Sequence, residues 1–307
     1  MLNRTNDYFF AKVFGDSKHK AIALSLINAV LETAGTETLA DIEFVDRTLQ
    51  PESAAGKLSR LDILGRTSDG VKVNVEMQVV NEHNIERRTL YYWSKLYADL
   101  GRGQGYSELT RTVTINFLAF RALPFEECHS VYGLCNRRHG EPLLEDMEIH
   151  FVELPKWKPS SCKEMKRLDR WLAYFTRKVS DEEMEEIAVQ EPAIQEAMQA
   201  ESLFTQSDIE RRAYEQREKA IRDYHSAMEA ATRIGLERGL EEGLEKGLEK
   251  GLKKGLEKGL EKGLEKGREE ATEKTALNML RMGLEREVIQ QATELSLEQI
   301  KALEKRV

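Results

Sequence analysis

Polar and apolar residues alternate from Val71 to Val80. Val73, Val75, Met77 and Val79 fall on one side and Asn74, Glu76 and Gln78 on the other. That period of two predicts a strand with one buried and one polar face. Leu61–Gly65 is apolar apart from Asp62, and Thr67-Ser68-Asp69-Gly70 between the two runs has turn chemistry, so the pair reads as a hairpin. Helical spacing flanks it. Phe9, Phe10, Val13 and Phe14 predict a first helix, capped by Asn6 or Asp7. Ile22, Leu24, Leu26, Ile27, Val30 and Leu31 predict a second, broadly apolar and buried, from Asp16 to Gly35. Ile85, Leu90, Trp93, Leu96 and Leu100 place a third from about Asn84 to Leu100. Further strands are expected over Ile42–Leu49, Thr112–Phe120 and Ile149–Leu154, and the chain reads as helical from Asp181 onward. This order predicts an α/β fold with a mixed central sheet flanked by helices, followed by a long helical C-terminal tail.

The tail contains a repeat. Glycine stands at every fourth position from Gly235 to Gly267, and leucine follows each of the first eight. A period of four exceeds the helical 3.6, so the Gly and Leu stripes wind around a straight helix and give no fixed core face unless the helix supercoils right-handedly. Each glycine costs about 1 kcal/mol against alanine in a helix interior. Like charges at i,i+4, such as Glu245–Glu249, offset none of this. The segment is therefore either a frayed spacer or a place where chains pair through glycine. Beyond it, Gly283 and the capping box Ser296–Gln299 delimit short helices. These suit a helix-turn-helix reader or an oligomerisation cap, and six basic against six acidic residues in 271–307 tilt the reading to the cap.

Charge limits the partners. The net charge is −8, and none of three blocks of the chain is basic: 17 basic against 22 acidic side chains in 1–155, 14 against 16 in 156–234, and 15 against 16 in 235–307. Nucleic acid would have to be met through a local patch or a metal. Three cysteines give no disulfide framework and suit a reducing cytosol. Cys128, His129, Cys135 and His139 match no zinc spacing. No apolar run is long enough to span a bilayer, so a cytoplasmic protein without membrane contact is expected.

The chemistry centres on the hairpin. Asp62 on one strand and Glu76 on the other converge into a hard-oxygen site of the kind Mg²⁺ prefers, with Gln78 beside them. Asp7 is either a helix cap or a further acid near that site. Lys57 and Arg60 precede the Asp62 strand and suit either phosphate or solvent. Arg87, Arg88 and Lys95 follow the acids closely, and phosphate is their natural partner. A basic run from Lys156 to Arg170, interleaved with Trp157 and followed by Trp171, is either a solvated flank or a nucleic-acid surface.

The blocks NDYFFAKVFGD, LDILGRTSDGVKVNVEMQ, ERRTLYYWSKLYADLGRGQGYSEL, EIHFVELPKW and LDRWLAYF, taken in this order, resemble the Rpn family of recombination-promoting nucleases, transposase-like members of the PD-(D/E)XK superfamily. The resemblance covers roughly residues 3–175. It implies a restriction-endonuclease-like core and DNA endonuclease activity dependent on Mg²⁺ or another divalent cation. Asp62 and Glu76 match the two acids of the motif and would be catalytic and metal-holding. Gln78 stands where many members carry lysine, and glutamine cannot act as a general base. Ala11 stands where a lysine is expected, leaving Lys12 as its substitute. Arg60, Arg87 and Arg88 are candidate phosphate contacts. The domain reading is a nuclease domain at 1–178, a helical extension at 179–234, the repeat at 235–270 and a small helical segment at 271–307. The leading function is Mg²⁺-dependent DNA endonuclease, with copies joined through the tail. The alternative is an inactive nuclease fold serving as a DNA-binding or assembly module.

Overall fold

The computed structural model describes residues 2–46, 48–49, 59–100 and 103–306, with backbone alone for Leu49, Ser59 and Arg60. The described residues form two compact units, Met1–His225 and Ser226–Val307. In chain order the first holds α1 (Asp7–Val13), α2 (Lys20–Ala34), β1 (Glu43–Phe44), β2 (Thr48–Leu49), β3 (Ser59–Arg60), β4 (Ile63–Arg66) and β5 (Lys72–Gln78). Then come α3 (Ile85–Tyr97), β6 (Thr112–Leu118), β7 (His129–Tyr132), β8 (Met147–Glu153), α4 (Arg167–Thr176), α5 (Asp181–Gln190), α6 (Pro192–Gln206) and the start of α7 (Asp208–Arg281).

The sheet is mixed, as the element order predicts. Its six strands run β1-β4-β5-β6-β8-β7, with β5, β6 and β8 parallel and the remaining pairs antiparallel. The expected hairpin is β4–β5, and Gly70 in its turn has φ +92°, a conformation open to glycine at little cost. The single strand expected over Ile42–Leu49 is instead two two-residue strands, β1 on the main sheet and β2 paired with β3.

One face of the sheet carries Val73, Val75, Met77, Val113, Ile115 and Phe117 into the principal core with α1, α2 and α4. Aromatic rings fill that layer; Phe10 and Phe14 stack at 4.7 Å. The other face was expected to be open to solvent at β5, and it is not. All seven residues of β5 are buried, because α3 lies over Asn74, Glu76 and Gln78. The buried stripe of α3 is Ile85, Thr89, Tyr92 and Leu96, one helical face. Thr89 Oγ1 donates to Asn116 on β6 at 3.1 Å, and Lys72 Nζ donates to the Leu96 carbonyl at 2.7 Å near the helix C-terminus.

The basic run at Lys156–Arg170 is largely structural. Lys156 is buried in an ion pair with Glu153, and Arg167 pairs with Glu191 at 3.0 Å and Glu32 at 2.9 Å. Trp157 and Trp171 belong to the core. The nucleic-acid reading of this run therefore loses its aromatic platform and two of its cations.

The second unit continues α7 through the whole glycine repeat, so the segment is helix throughout. It closes with α8 (Arg286–Thr293) and α9 (Leu297–Glu304). Gly283 ends α7 at φ +75°, and Ser296 and Gln299 form the expected capping box on α9. Ala276, Ile289, Ile300 and Leu303 make a small core of its own. No helix among the described residues is long and apolar enough to cross a membrane.

Two stability tests follow from these contacts. A Cβ at Gly65 would run into the buried Ile42 side chain, which seats β1 on β4. Gly65→Ala should cost about 1–3 kcal/mol in urea denaturation; an unchanged midpoint would mean β1 is not so seated. On β7 and β8, His129 Nε2 lies 3.0 Å from His150 Nδ1, and His150 Nε2 lies 2.9 Å from Glu148. Burial and the neighbouring His150 push His129 down from 6.5 to about 4. Burial opposes ionisation of Glu148, yet hydrogen bonds from His150, Thr36 and Arg111 hold it down to about 2. For His129 the folded value is the lower, so its contribution is present above pH 6.5 and is lost as pH falls to about 4. Melting temperature should decline across that window, and His129→Gln should flatten the decline; an equal slope in the variant would contradict the assignment.

Candidate active site

Asp62 sits immediately before β4, and its Oδ2 accepts a hydrogen bond of 2.8 Å from the Met77 N–H. Its own N–H lies 3.4 Å from Glu76 Oε1. The antiparallel pairing of β4 with β5 makes this approach, because Ile63 is opposite Val75 and Asp62 therefore reaches the level of Glu76. Glu76 is 2% exposed. Gln78 follows on the same face, and its Nε2 donates to Glu76 Oε2 at 3.0 Å. Arg88, one turn into α3, brings Nη2 to 3.8 Å from Glu76 Oε2 and Nη1 to 4.0 Å from Glu82.

A second cation arrives from far along the chain. Arg217 on α7 grips Asp7 with two nitrogens, Nε at 2.8 Å from Oδ1 and Nη2 at 2.5 Å from Oδ2. Of the two cap candidates, Asn6 caps α1, accepting from the Phe9 N–H at 3.1 Å, while Asp7 Oδ1 accepts from the Tyr8 N–H at 2.9 Å as well as from Arg217. Asp7 and the neighbouring Asp62 charge both favour the Arg217 cation and raise its pKa. Asp7, Asp62, Glu76, Gln78, Arg88 and Arg217 together line one cavity of about 320 Å³. A second cavity of about 240 Å³ shares Asp7, Asp62 and Arg217 and adds Lys12. Lys12 is tied to Glu210 at 3.0 Å.

The remaining sequence candidates separate. Arg87 is exposed on α3 and lies outside the cavity lining. Lys57 and the side chain of Arg60 lie outside the described residues. Arg217 and Glu82 are the residues the sequence reading missed. Arg217 belongs to a dense charged stretch, RRAYEQREKAIRDY, in which no spacing distinguishes it. Its signal is three-dimensional: Glu210, Tyr214, Arg217 and Glu218 share a face of α7 and bond Tyr8, Asn3, Asp7 and Asn6 respectively.

Electrostatics at the centre are unfavourable as they stand. Burial, and then the Asp62 charge, push the Glu76 carboxyl well above its ordinary value, and Arg88 only partly opposes them. A divalent cation answers that imbalance. Among the described residues no three His, Cys, Asp or Glu side chains converge on one point, so an ion would take two carboxylates and leave its other positions to water and phosphate. That is the pattern of Mg²⁺ bound at phosphoryl sites, and the donor set fits it.

A family model described as PD-(D/E)XK nuclease family transposase matches residues 4–231. A second, described as Rpn/YhgA-like nuclease family, C-terminal HTH domain, matches residues 269–305. The turn between α8 and α9 is three residues long, Glu294 to Ser296, within the length of a helix-turn-helix turn, and Glu294 takes φ +57°. Comparison with curated proteins and with solved structures gave no match.

The strain at Glu76 is measurable without any reaction. A carboxyl raised in the folded state costs stability as pH climbs from its ordinary value through the raised one. Glu76→Gln should therefore raise the melting temperature of cation-free protein, with a larger gain at pH 8 than at pH 5. A loss at pH 8 would show that the charge is compensated within the fold.

Proposed function

The chain belongs to the PD-(D/E)XK nuclease family of transposases, and from that premise we propose that it hydrolyses DNA phosphodiester bonds with a divalent cation, Mg²⁺ by its donor chemistry, at Asp62 and Glu76. The observation that carries the proposal is one buried and one half-buried carboxylate meeting in a cavity bordered by Arg88 and Arg217. A cation bound there would neutralise phosphate charge and make water nucleophilic at neutral pH. Asp62 and Glu76 would hold it. Asp62 is fixed for that role by the Met77 N–H, and Glu76 by burial and by Gln78.

Arg88 and Arg217 present guanidinium groups suited to phosphate oxygens. Asp7 holds the half-exposed Arg217 at the edge of the cavity. Gln78 has no titratable group, so its part is to orient Glu76 or a water and never to accept a proton. The transposase and helix-turn-helix family matches support DNA as the partner, and the C-terminal segment would add a second contact. The tail would join copies of the chain.

One observation favours a second reading, in which the fold binds DNA or assembles without cutting. Gln78 occupies a Glu76 oxygen that a cation would need. The two readings part in a single set of assays. Full-length protein with Mg²⁺ should nick or cut supercoiled plasmid. Asp62→Asn and Glu76→Gln should abolish cutting with circular dichroism unchanged, and Arg88→Ala or Arg217→Ala should each slow it about 100-fold. Cutting that survives both carboxylate changes would remove the site assignment. A calorimetric titration with no uptake of Mg²⁺ or Mn²⁺ would favour the inactive reading.

A further inference from the structure

The repeat on α7 contains features that its own chain does not explain. Leu236, Leu240 and their successors to Leu264 are each 66–76% exposed. None of the nine repeat glycines has a positive φ, and a Cβ built on any of them meets nothing within 4 Å among the described residues. Neither a turn nor an internal contact requires glycine there, although glycine is a poor helix former. What it permits is close approach of another backbone.

Rows of residues four apart are the ridges by which two helices interlock, at a crossing angle near −50°. In this helix one such row is leucine and the adjacent row is glycine, which is a ridge beside a groove. Each four-residue step overshoots a full turn by about 40°, so the rows wind almost once around the helix over the repeat. Two helices that follow them coil right-handedly. The hand agrees with ridge interlocking and with the crossing of about −40° seen where glycines recur every fourth residue.

The order of rows around the helix then selects an orientation. The third position is Glu in seven of eight units, with Lys253 the exception, and the fourth is basic in seven of eight, with Glu242 the exception. Set parallel about a shared axis, each copy lays its leucine ridge opposite the other's glycine groove. Its acidic row then flanks the other's basic row on both sides. Set antiparallel, leucine opposes leucine, glycine opposes glycine, and acid lies beside acid. Shape and charge make the same choice.

We propose that a second copy of this chain packs parallel to residues 235–267, leucine ridge into glycine groove, in a right-handed pair. The proposal rests on the reading that the tail joins copies, and it adds face, direction and hand. A slide by one unit restores the same contacts, so the register is fixed only in steps of four residues. Both hydrolytic domains enter the pair from the same end.

The test uses the full-length chain. Alanine at Gly243, Gly247, Gly251 and Gly255 improves helix propensity but fills the groove, so self-association measured by sedimentation should weaken about tenfold or more while helicity holds or rises. For direction, pyrene is attached at Arg233→Cys or Glu270→Cys in a Cys135→Ser background; the two positions are about 55 Å apart along the helix. Parallel pairing gives excimer emission when either labelled protein is alone. Excimer only on mixing the two, or association indifferent to the alanines, would overturn the pairing and leave self-association standing. A monomer at every concentration would overturn both.

Discussion

Glu76 is a carboxylate with 2% exposure beside a second carboxylate, and much of the first unit is arranged around that charge. It lies on the central antiparallel-to-parallel junction of the sheet, where β5 has β4 on one side and β6 on the other. A strand in that position would ordinarily be apolar on both faces. Here one face carries Asn74, Glu76 and Gln78 and is nonetheless covered by α3. The cost of burial is offset by Gln78 and Arg88 only in part, which leaves the site electrostatically unfinished. Stability given up at a functional site is a common trade, and the proposed cation site would account for an acid pair in so buried a place.

The site also depends on where α7 begins. Its first turns are bound to α1 and to the residues just before it through Glu210, Tyr214, Arg217 and Glu218 on one face. Through them Arg217 is delivered to Asp7, next to Asp62. A chain ending before α7 would retain both acids and lose this cation. The family match extends to residue 231 and thus covers the helix start as well as the sheet. Gln78 offers an amide and no titratable group, and Arg217 places a permanent positive charge near Asp62. Neither group is a base, since a guanidinium binds phosphate but does not give up its proton.

The hairpin was legible because its signals are local: alternation over Val71–Val80, a turn at Gly70 and acids at fixed spacing. Glycine endings at Gly35 and Gly283 were legible for the same reason, both having positive φ. The Asp62–Glu76 approach could be anticipated from strand pairing alone. Other features depend on distant segments. Burial of the polar face of β5 is decided by α3, and nothing within β5 encodes it. β7 is a four-residue edge strand, His129–Tyr132, only half of it shielded, so no apolar alternation marks it. Arg217 and Arg87 look alike in sequence; one is drawn into the cavity by Asp7 and the other faces solvent. The basic run near Trp157 resembled a binding surface because its acidic partners, Glu32 and Glu191, are remote in the chain.

The claim at the centre is that Asp62 and Glu76 together hold a divalent cation. Anomalous diffraction from crystals of the full-length protein grown with Mn²⁺ tests it without depending on any DNA substrate. The account predicts a single strong peak within coordination distance of both carboxylates. Crystals that take up Mn²⁺ elsewhere, or an Asp62–Glu76 pair without a peak at saturating Mn²⁺, would contradict it.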